Sequence, residues 1–156
     1  MMTIQELPLI SLLIITMPLG ALLIWLIPNA GMARWITLFA ALVDLVLSLL
    51  ILVNFDPQLA GFQFVEQASW IPTLNIHYEV GVDGISVLFL PVTILVFLGV
   101  ITASWNSVRN MPRLYFSLLL MLESVTLGIF CALDTMLFFL FWELTLIPLY
   151  FLVSLW

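Results

Sequence analysis

Long apolar runs recur along the chain, and they constrain its fold more than any other feature. Of the 156 residues, 65% are hydrophobic and only 8% are charged, whereas a soluble domain has about 25% charged residues. Several runs reach the roughly 20 residues that a helix needs to cross a hydrocarbon layer about 30 Å thick. A water-soluble domain of this size could not hide them. The sequence therefore predicts an all-α integral membrane protein in contact with the lipid bilayer.

Hydropathy and turn residues divide the chain into five predicted transmembrane helices within a single helical membrane domain. Turn signals include the segment 28–31, the segment 106–112 and Asp134, which is a favourable N-cap. The predicted spans cover approximately residues 7–27, 32–53, 84–105, 112–133 and 134–156. The surface loop 54–83 between the second and third spans has alternating polarity, a turn near Pro72 and a β-favouring segment at 75–80. It is predicted to form a short hairpin on the membrane surface.

The basic residues predict the orientation, because Lys and Arg near span ends favour the cytoplasmic side. Arg34 lies between the first two spans, and Arg109 and Arg113 lie between the third and fourth. Both loops are therefore predicted to be cytoplasmic, with the N-terminus outside and Trp156 at the cytoplasmic face. The opposite face would carry Glu6, Asp56, Glu66, Glu79, Asp83 and Asp134.

Several kinds of site have no support in this sequence. A single cysteine, Cys131, excludes an internal disulfide and a cysteine-ligated iron–sulfur or zinc site within the chain. The single histidine, His77, has no second histidine to pair with. The formal net charge of −6 implies no basic surface of the kind that binds nucleic acids. We expect no cofactor, metal or redox site in this chain.

Three carboxyl groups fall inside the predicted spans: Asp44, Glu123 and Glu143. The chain has no lysine, and its three arginines lie at span ends. Any ion pair at mid-membrane must therefore come from another polypeptide or from residues absent here. Ionisable side chains at this depth are expensive and usually functional.

Glu143 is the main candidate for a proton relay. It lies nine residues beyond Asp134, which places it roughly 13.5 Å from the outer end at 1.5 Å per residue. Pro148 cannot donate to the carbonyl of Leu144, so it is expected to loosen the helix and admit water there. The alternative is that Glu143 stays protonated and hydrogen-bonds a neighbouring helix as a packing device.

Two further carboxyl groups are weaker candidates. Glu123 has a similar depth in the fourth span and is either a second relay position or a neutral acid bonded to a carbonyl. Asp44 shares a helix face with Thr37, Ala40, Ala41 and Ser48, the small and polar stripe expected at a close helix contact. We interpret Asp44 as mainly structural.

Three motifs resemble the antiporter-like membrane subunit, called chain M or subunit 4, of proton-pumping NADH:quinone oxidoreductase, respiratory complex I. They are the segment 81–86 that opens the third span, the segment 130–134 that closes the fourth, and the segment 139–149 around Glu143. The resemblance covers essentially the whole chain. The first two spans agree mainly in hydropathy and spacing.

The resemblance implies that Glu143 belongs to a proton half-channel and is coupled to a lysine on a later, broken helix. It also implies a larger fold with inverted repeats, of which this chain supplies the N-terminal part. The sequence ends at Trp156, before those lysines, so the chain is expected to be a truncated or split piece, or a short relative completed by another polypeptide.

By the same resemblance, the chain contributes to proton translocation coupled to electron transfer. Flavin, iron–sulfur clusters and quinone would bind to partner subunits of the membrane and peripheral arms. The expected location is the bacterial inner membrane. The alternatives are a subunit of a multisubunit sodium/proton antiporter and a piece with only a structural role in the membrane arm.

Overall fold

The computed structural model describes residues 7–27, 29, 31–74 and 76–156. Glu6, two positions of the first predicted turn (28 and 30) and position 75 of the predicted hairpin lie outside the described residues. The described chain contains five long helices: α1 (Leu9–Leu26), α2 (Met32–Val53), α3 (Ser86–Ser104), α4 (Pro112–Cys131) and α5 (Thr135–Leu155). Strands β1 (Gln63–Ile71) and β2 (Ile76–Val82) lie between α2 and α3. Each helix is long and apolar enough to cross a membrane, so the predicted fold class is confirmed.

The predicted hairpin is present as an antiparallel pair in which Glu66 faces Val80 and Ser69 faces His77. A short 3₁₀ turn, Pro72–Leu74, joins the strands. The register shifts between Gln63 and Glu66, where Phe64 takes a positive φ of 54°. A bulge of this kind re-aims side chains, and the Phe64 side chain is buried in the core.

Three helix boundaries differ from the predicted spans by two residues, for identifiable reasons. α1 begins at Leu9, after Pro8. α3 begins at Ser86, whose hydroxyl accepts from the Asp83 amide at 2.9 Å while Asp83 Oδ1 accepts from the Ser86 amide at 2.6 Å. α4 ends at Cys131 because the next two residues join the hairpin: Ala132 bridges Val80, and the Leu133 amide donates to the Glu79 carbonyl at 2.9 Å.

The N-cap predicted for the last helix is confirmed. Asp134 Oδ1 accepts from the amides of Met136 and Leu137 at 2.8 and 3.1 Å. Those amides have no partner within their own helix, so a carboxylate at this position satisfies them.

The two ends of the bundle differ in the way that the sequence predicts. At one end Arg34 donates to the Val108 carbonyl at 3.1 Å, and Trp156 Nε1 donates to the Asn110 carbonyl at 3.2 Å. These contacts bring both basic loops and Trp156 together. The hairpin covers the opposite end, where Glu66 accepts from the amides of Ile10 and Ser11 at 2.8 and 3.1 Å.

Helix α4 lies at the centre of the bundle and packs against all four other helices. Close approach depends on small residues at two contacts. Gly20 of α1 lies against Ala40 and Leu120, and Gly128 of α4 lies against the ring of Phe141. α5 packs mainly on α4 and β2, so much of its surface remains uncovered.

The core is divided into two apolar clusters. One lies toward the hairpin and includes Leu13, Ile51 and Leu127. The other lies toward the basic loops and includes Met17, Ala41 and Leu120. Between them is a set of polar side chains, which we call the polar layer: Thr16, Asp44, Ser48, Glu123 and Ser124.

Candidate functional site

Glu143 lies near the middle of α5, as its distance from the Asp134 cap predicts. Its side chain is exposed. α5 is the least covered of the five spans, with 17% of its most apolar stretch buried against 56% for α4. The described helices therefore do not bury Glu143. Its apolar sequence surroundings do not make it a core residue here, because only the face of α5 around Leu137, Phe141 and Pro148 packs inward.

Pro148 lies one turn beyond Glu143 and is buried, and α5 is continuous through it. Proline removes one backbone donor from a helix without necessarily ending it. Its expected effect on hydration near Leu144 stays a prediction.

Asp44 lies within the small and polar stripe that the sequence predicts. Thr37, Ala40, Ala41, Asp44 and Ser48 are all buried. The stripe therefore forms a close helix contact, as its spacing indicates.

Glu123 is also fully buried, with 0% of its surface exposed, like Asp44. All four carboxyl oxygens of the two residues lack a hydrogen-bond partner among the described residues. The two interpretations of Glu123, a second relay position and a neutral acid bonded to a carbonyl, both stay predictions. Both carboxyl groups lie inside the bundle, on two helices that pack on each other, whereas Glu143 lies on the outside of α5.

The sequence interpretation did not note that Asp44 and Glu123 lie at the same depth, although the sequence contains a signal for it. Asp44 lies ten residues after Arg34, and Glu123 lies ten residues after Arg113. Because α2 and α4 both begin at the end with the basic loops, equal spacing places both carboxyl groups at the same depth, roughly 15 Å along each helix. Adjacent helices with acidic residues at one depth are candidates for contact.

Outside the spans, hydrogen bonds and burial determine the electrostatics. Amide donors, chiefly that of Leu137, lower the pKa of Asp134. The amide of Ser86 does the same for the pKa of Asp83. Burial raises the pKa of Tyr78, whose hydroxyl is 2.8 Å from Ser11 Oγ. These groups tie the hairpin to the helix ends and lie away from the polar layer.

Curated relatives match most of the chain, although no family model matches it. F(420)H(2) dehydrogenase subunit M of Methanosarcina mazei is 36% identical over 96% of this chain and 30% of its own length. NADH-quinone oxidoreductase subunit M of Rhodobacter capsulatus is 41% identical over 80% of this chain and 24% of its length. NAD(P)H-quinone oxidoreductase chain 4 1 of Synechococcus elongatus is 42% identical over 79% of this chain and 23% of its length.

A solved structure has the same fold. A chain of the membrane-bound sulfane sulfur reductase, an archaeal respiratory membrane complex, aligns with a TM-score of 0.74 at 20% identity and covers 94% of this chain and 23% of its own length. At that identity the likeness concerns the fold alone. The chain spans between 23% and 30% of the length of these three curated relatives. Its sequence is similar to part of the subunit M and chain 4 proteins of NADH-quinone and NAD(P)H-quinone oxidoreductases and to part of F(420)H(2) dehydrogenase subunit M.

Proposed function

We propose that the chain is part of a membrane-arm subunit that moves protons in a respiratory oxidoreductase of the complex I type. The observation that carries the proposal is the 36% to 42% identity to subunit M and chain 4 proteins, together with a carboxyl group at mid-depth on α5. An ionisable side chain at that depth commonly belongs to an ion pathway.

The names of the relatives separate the role of this subunit from the identity of the electron donor. Those names specify NADH, NAD(P)H and F(420)H(2), yet each designates subunit M or chain 4. A subunit common to complexes with different donors is not the part that selects the donor. We therefore assign flavin, iron–sulfur clusters and quinone chemistry to partner subunits, and no redox site to this chain.

The exposure of Glu143 indicates how a proton pathway would be completed. A carboxyl group facing lipid at mid-membrane would cost several kcal/mol. We propose that further helices, from a longer chain or a partner subunit, cover this face of α5 and present a basic side chain to Glu143. A change in that neighbouring charge would shift the protonation of Glu143 and so drive proton transfer.

The remaining details are parts of the same proposal. The location is the bacterial inner membrane, with the loops at Arg34 and at Arg109 to Arg113 in the cytoplasm and the N-terminus outside. The partners are the other membrane-arm and peripheral-arm subunits. The antiporter alternative is less well supported, because the matched relatives have dehydrogenase or oxidoreductase names. The carboxyl group at mid-depth on α5 argues against the scaffold alternative.

Gentle detergent extraction, native gel separation and mass spectrometry of the co-migrating proteins test this assignment. We expect flavin and iron–sulfur subunits in the same band as this chain. A band that contains only antiporter-type membrane subunits, and that exchanges sodium for protons without an electron donor, would contradict the assignment.

A further inference from the structure

The polar layer contains too many hydrogen-bond acceptors and too few donors. The Asp44 and Glu123 side chains are both 0% exposed, and none of their four oxygens has a hydrogen-bond partner among the described residues. A buried polar group left in this state costs free energy of the order of 1–3 kcal/mol, and more if it is charged. Something that supplies a donor or a positive charge must therefore accompany this pair.

The neighbouring hydroxyl groups do not supply the missing donors. Ser124 Oγ donates to the Ile14 carbonyl at 2.7 Å, and Ser48 Oγ donates to the Leu45 carbonyl at 2.9 Å. Thr16, which lies beside Asp44, donates to the Leu12 carbonyl at 2.7 Å. Each hydroxyl has one hydrogen, so rotation of Thr16 would provide one donor for four carboxylate oxygens.

No basic side chain in the described part of the chain reaches the layer. Arg34 and Arg113 each lie ten residues away along their helices, roughly 15 Å, and Arg34 donates to the Val108 carbonyl. α1 and α3 contain no ionisable side chain. The other ionisable groups on α4 and on the elements packed around α2 and α4 are Tyr115, Cys131, Glu143, Tyr150, Glu66, His77, Tyr78 and Glu79. Asp44 and Glu123 are the ionisable groups of the polar layer itself.

The location of the pair argues against incidental polar packing. The apolar core is interrupted at one depth in α1, α2 and α4, and both carboxyl groups lie in that interruption. Apolar side chains at Asp44 and Glu123 would leave no buried polar atom without a hydrogen-bond partner. Apolar replacement of buried ionic pairs is often neutral or stabilising.

We propose that Asp44 and Glu123 together form a proton-binding site inside the helical bundle, in which the charge of one carboxyl group sets the proton affinity of the other. With both carboxyl groups protonated the layer carries no charge. Release of one proton leaves a single buried negative charge, which makes release of the second proton more costly, and uptake of one proton reverses the step. The site is separate from Glu143, because the described helices enclose it completely.

Infrared difference spectroscopy of the purified complex that contains the chain tests this proposal. Compared with wild type, Glu123→Gln should lose one C=O band of a protonated carboxylic acid, and that band should shift in D₂O when the electron donor is added. Asp44→Asn should shift the Glu123 band, because a neutral amide replaces the neighbouring ionisable group. The control Glu79→Gln removes a carboxyl group from the hairpin and should leave the acid bands unchanged.

Three results would overturn the site. One is that neither variant loses or shifts an acid band. Another is that Asp44→Asn leaves the Glu123 band in place, which would mean two independent acids. The third is that the band does not exchange in D₂O during turnover. If Glu123→Gln does not assemble, Asp44→Asn carries the test alone through the predicted band shift. The readout is not proton pumping, so failure of the relay proposed for Glu143 would not affect it.

Discussion

At the scale of single residues, carboxyl groups in this chain have different roles according to the donors around them. Asp134 and Glu66 each accept backbone amides at a helix N-terminus. Asp44 and Glu123 have no donor among the described residues, and Glu143 faces outward. The same functional group therefore serves as a cap, a buried pair and an exposed relay candidate.

The cap at α5 should depend on pH. The amide of Leu137, the main cause, lowers the pKa of Asp134 from 3.8. A lowered pKa means that the carboxylate form is favoured in the folded state, so the stabilisation is fully present above pH 3.8 and is lost as the pH falls through the lower folded value. We expect the amides of residues 136 and 137 to lose their protection from hydrogen exchange as the pH falls below 3.8. The protection is measured against reference peptides at each pH. Asp134→Asn should remove this pH dependence. Equal pH dependence in the variant would contradict the assignment.

Glu66 makes a long-range cap that the sequence pattern did not reveal. Its carboxylate accepts from Ile10 and Ser11, more than fifty residues away along the chain. Loss of an N-terminal cap typically costs about 1 kcal/mol, so Glu66→Ala should increase amide exchange in the peptide around 9–12 about fivefold. Gln67→Ala, at an exposed position of the same strand, is the matched control. If both variants exchange at the wild-type rate, Glu66 does not act as a cap.

At the scale of elements, the packing of α5 on α4 depends on one glycine. A Cβ atom built on Gly128 would lie 2.7 to 2.8 Å from three ring atoms of Phe141. Such distances are too short for carbon atoms in contact, so the helices must separate or the ring must move. The segment 138–142 contains three phenylalanines. Phe141 makes this specific helix contact, whereas Phe139 and Trp142 are exposed.

Gly128→Ala should therefore destabilise the α4–α5 contact by about 1–3 kcal/mol, the usual cost of overpacking. Gly99→Ala is a matched control, because nothing lies within 4 Å of its added Cβ. The measurement is the thermal unfolding of the detergent-solubilised complex. Equal midpoints for the two variants would show that α5 is not held at this glycine. Partial recovery of the unfolding midpoint in the double variant, Gly128→Ala with Phe141→Leu, would locate the clash at the Phe141 ring.

Element boundaries show where sequence reasoning ends. The hairpin and the Asp134 cap follow from local signals, and the predicted bounds of α2 agree with the structure. The end of α4 does not, because pairing of Ala132 and Leu133 with β2 is a long-range contact. Hydropathy alone would extend that helix by two residues.

At the scale of the whole molecule, five apolar helices and a covering hairpin follow from length, hydropathy and turns. The separation of basic loops from the hairpin also follows, since Arg34 and Val108 meet at one end. The interior could not be predicted as fully. Which carboxyl groups meet depends on the packing of α2 on α4, and which face of α5 is exposed depends on helices that the local sequence does not specify.

Glu143 is proposed to carry protons in an oxidoreductase membrane arm. The most direct measurement is the ratio of protons pumped to electrons transferred in membrane vesicles that contain the assembled complex. Glu143→Gln cannot ionise, so pumping should fall at least tenfold while the complex still assembles on native gels. Glu143→Asp, which keeps a carboxyl group, should retain part of the pumping, and Glu79→Gln should match wild type. A wild-type ratio in Glu143→Gln would contradict the account.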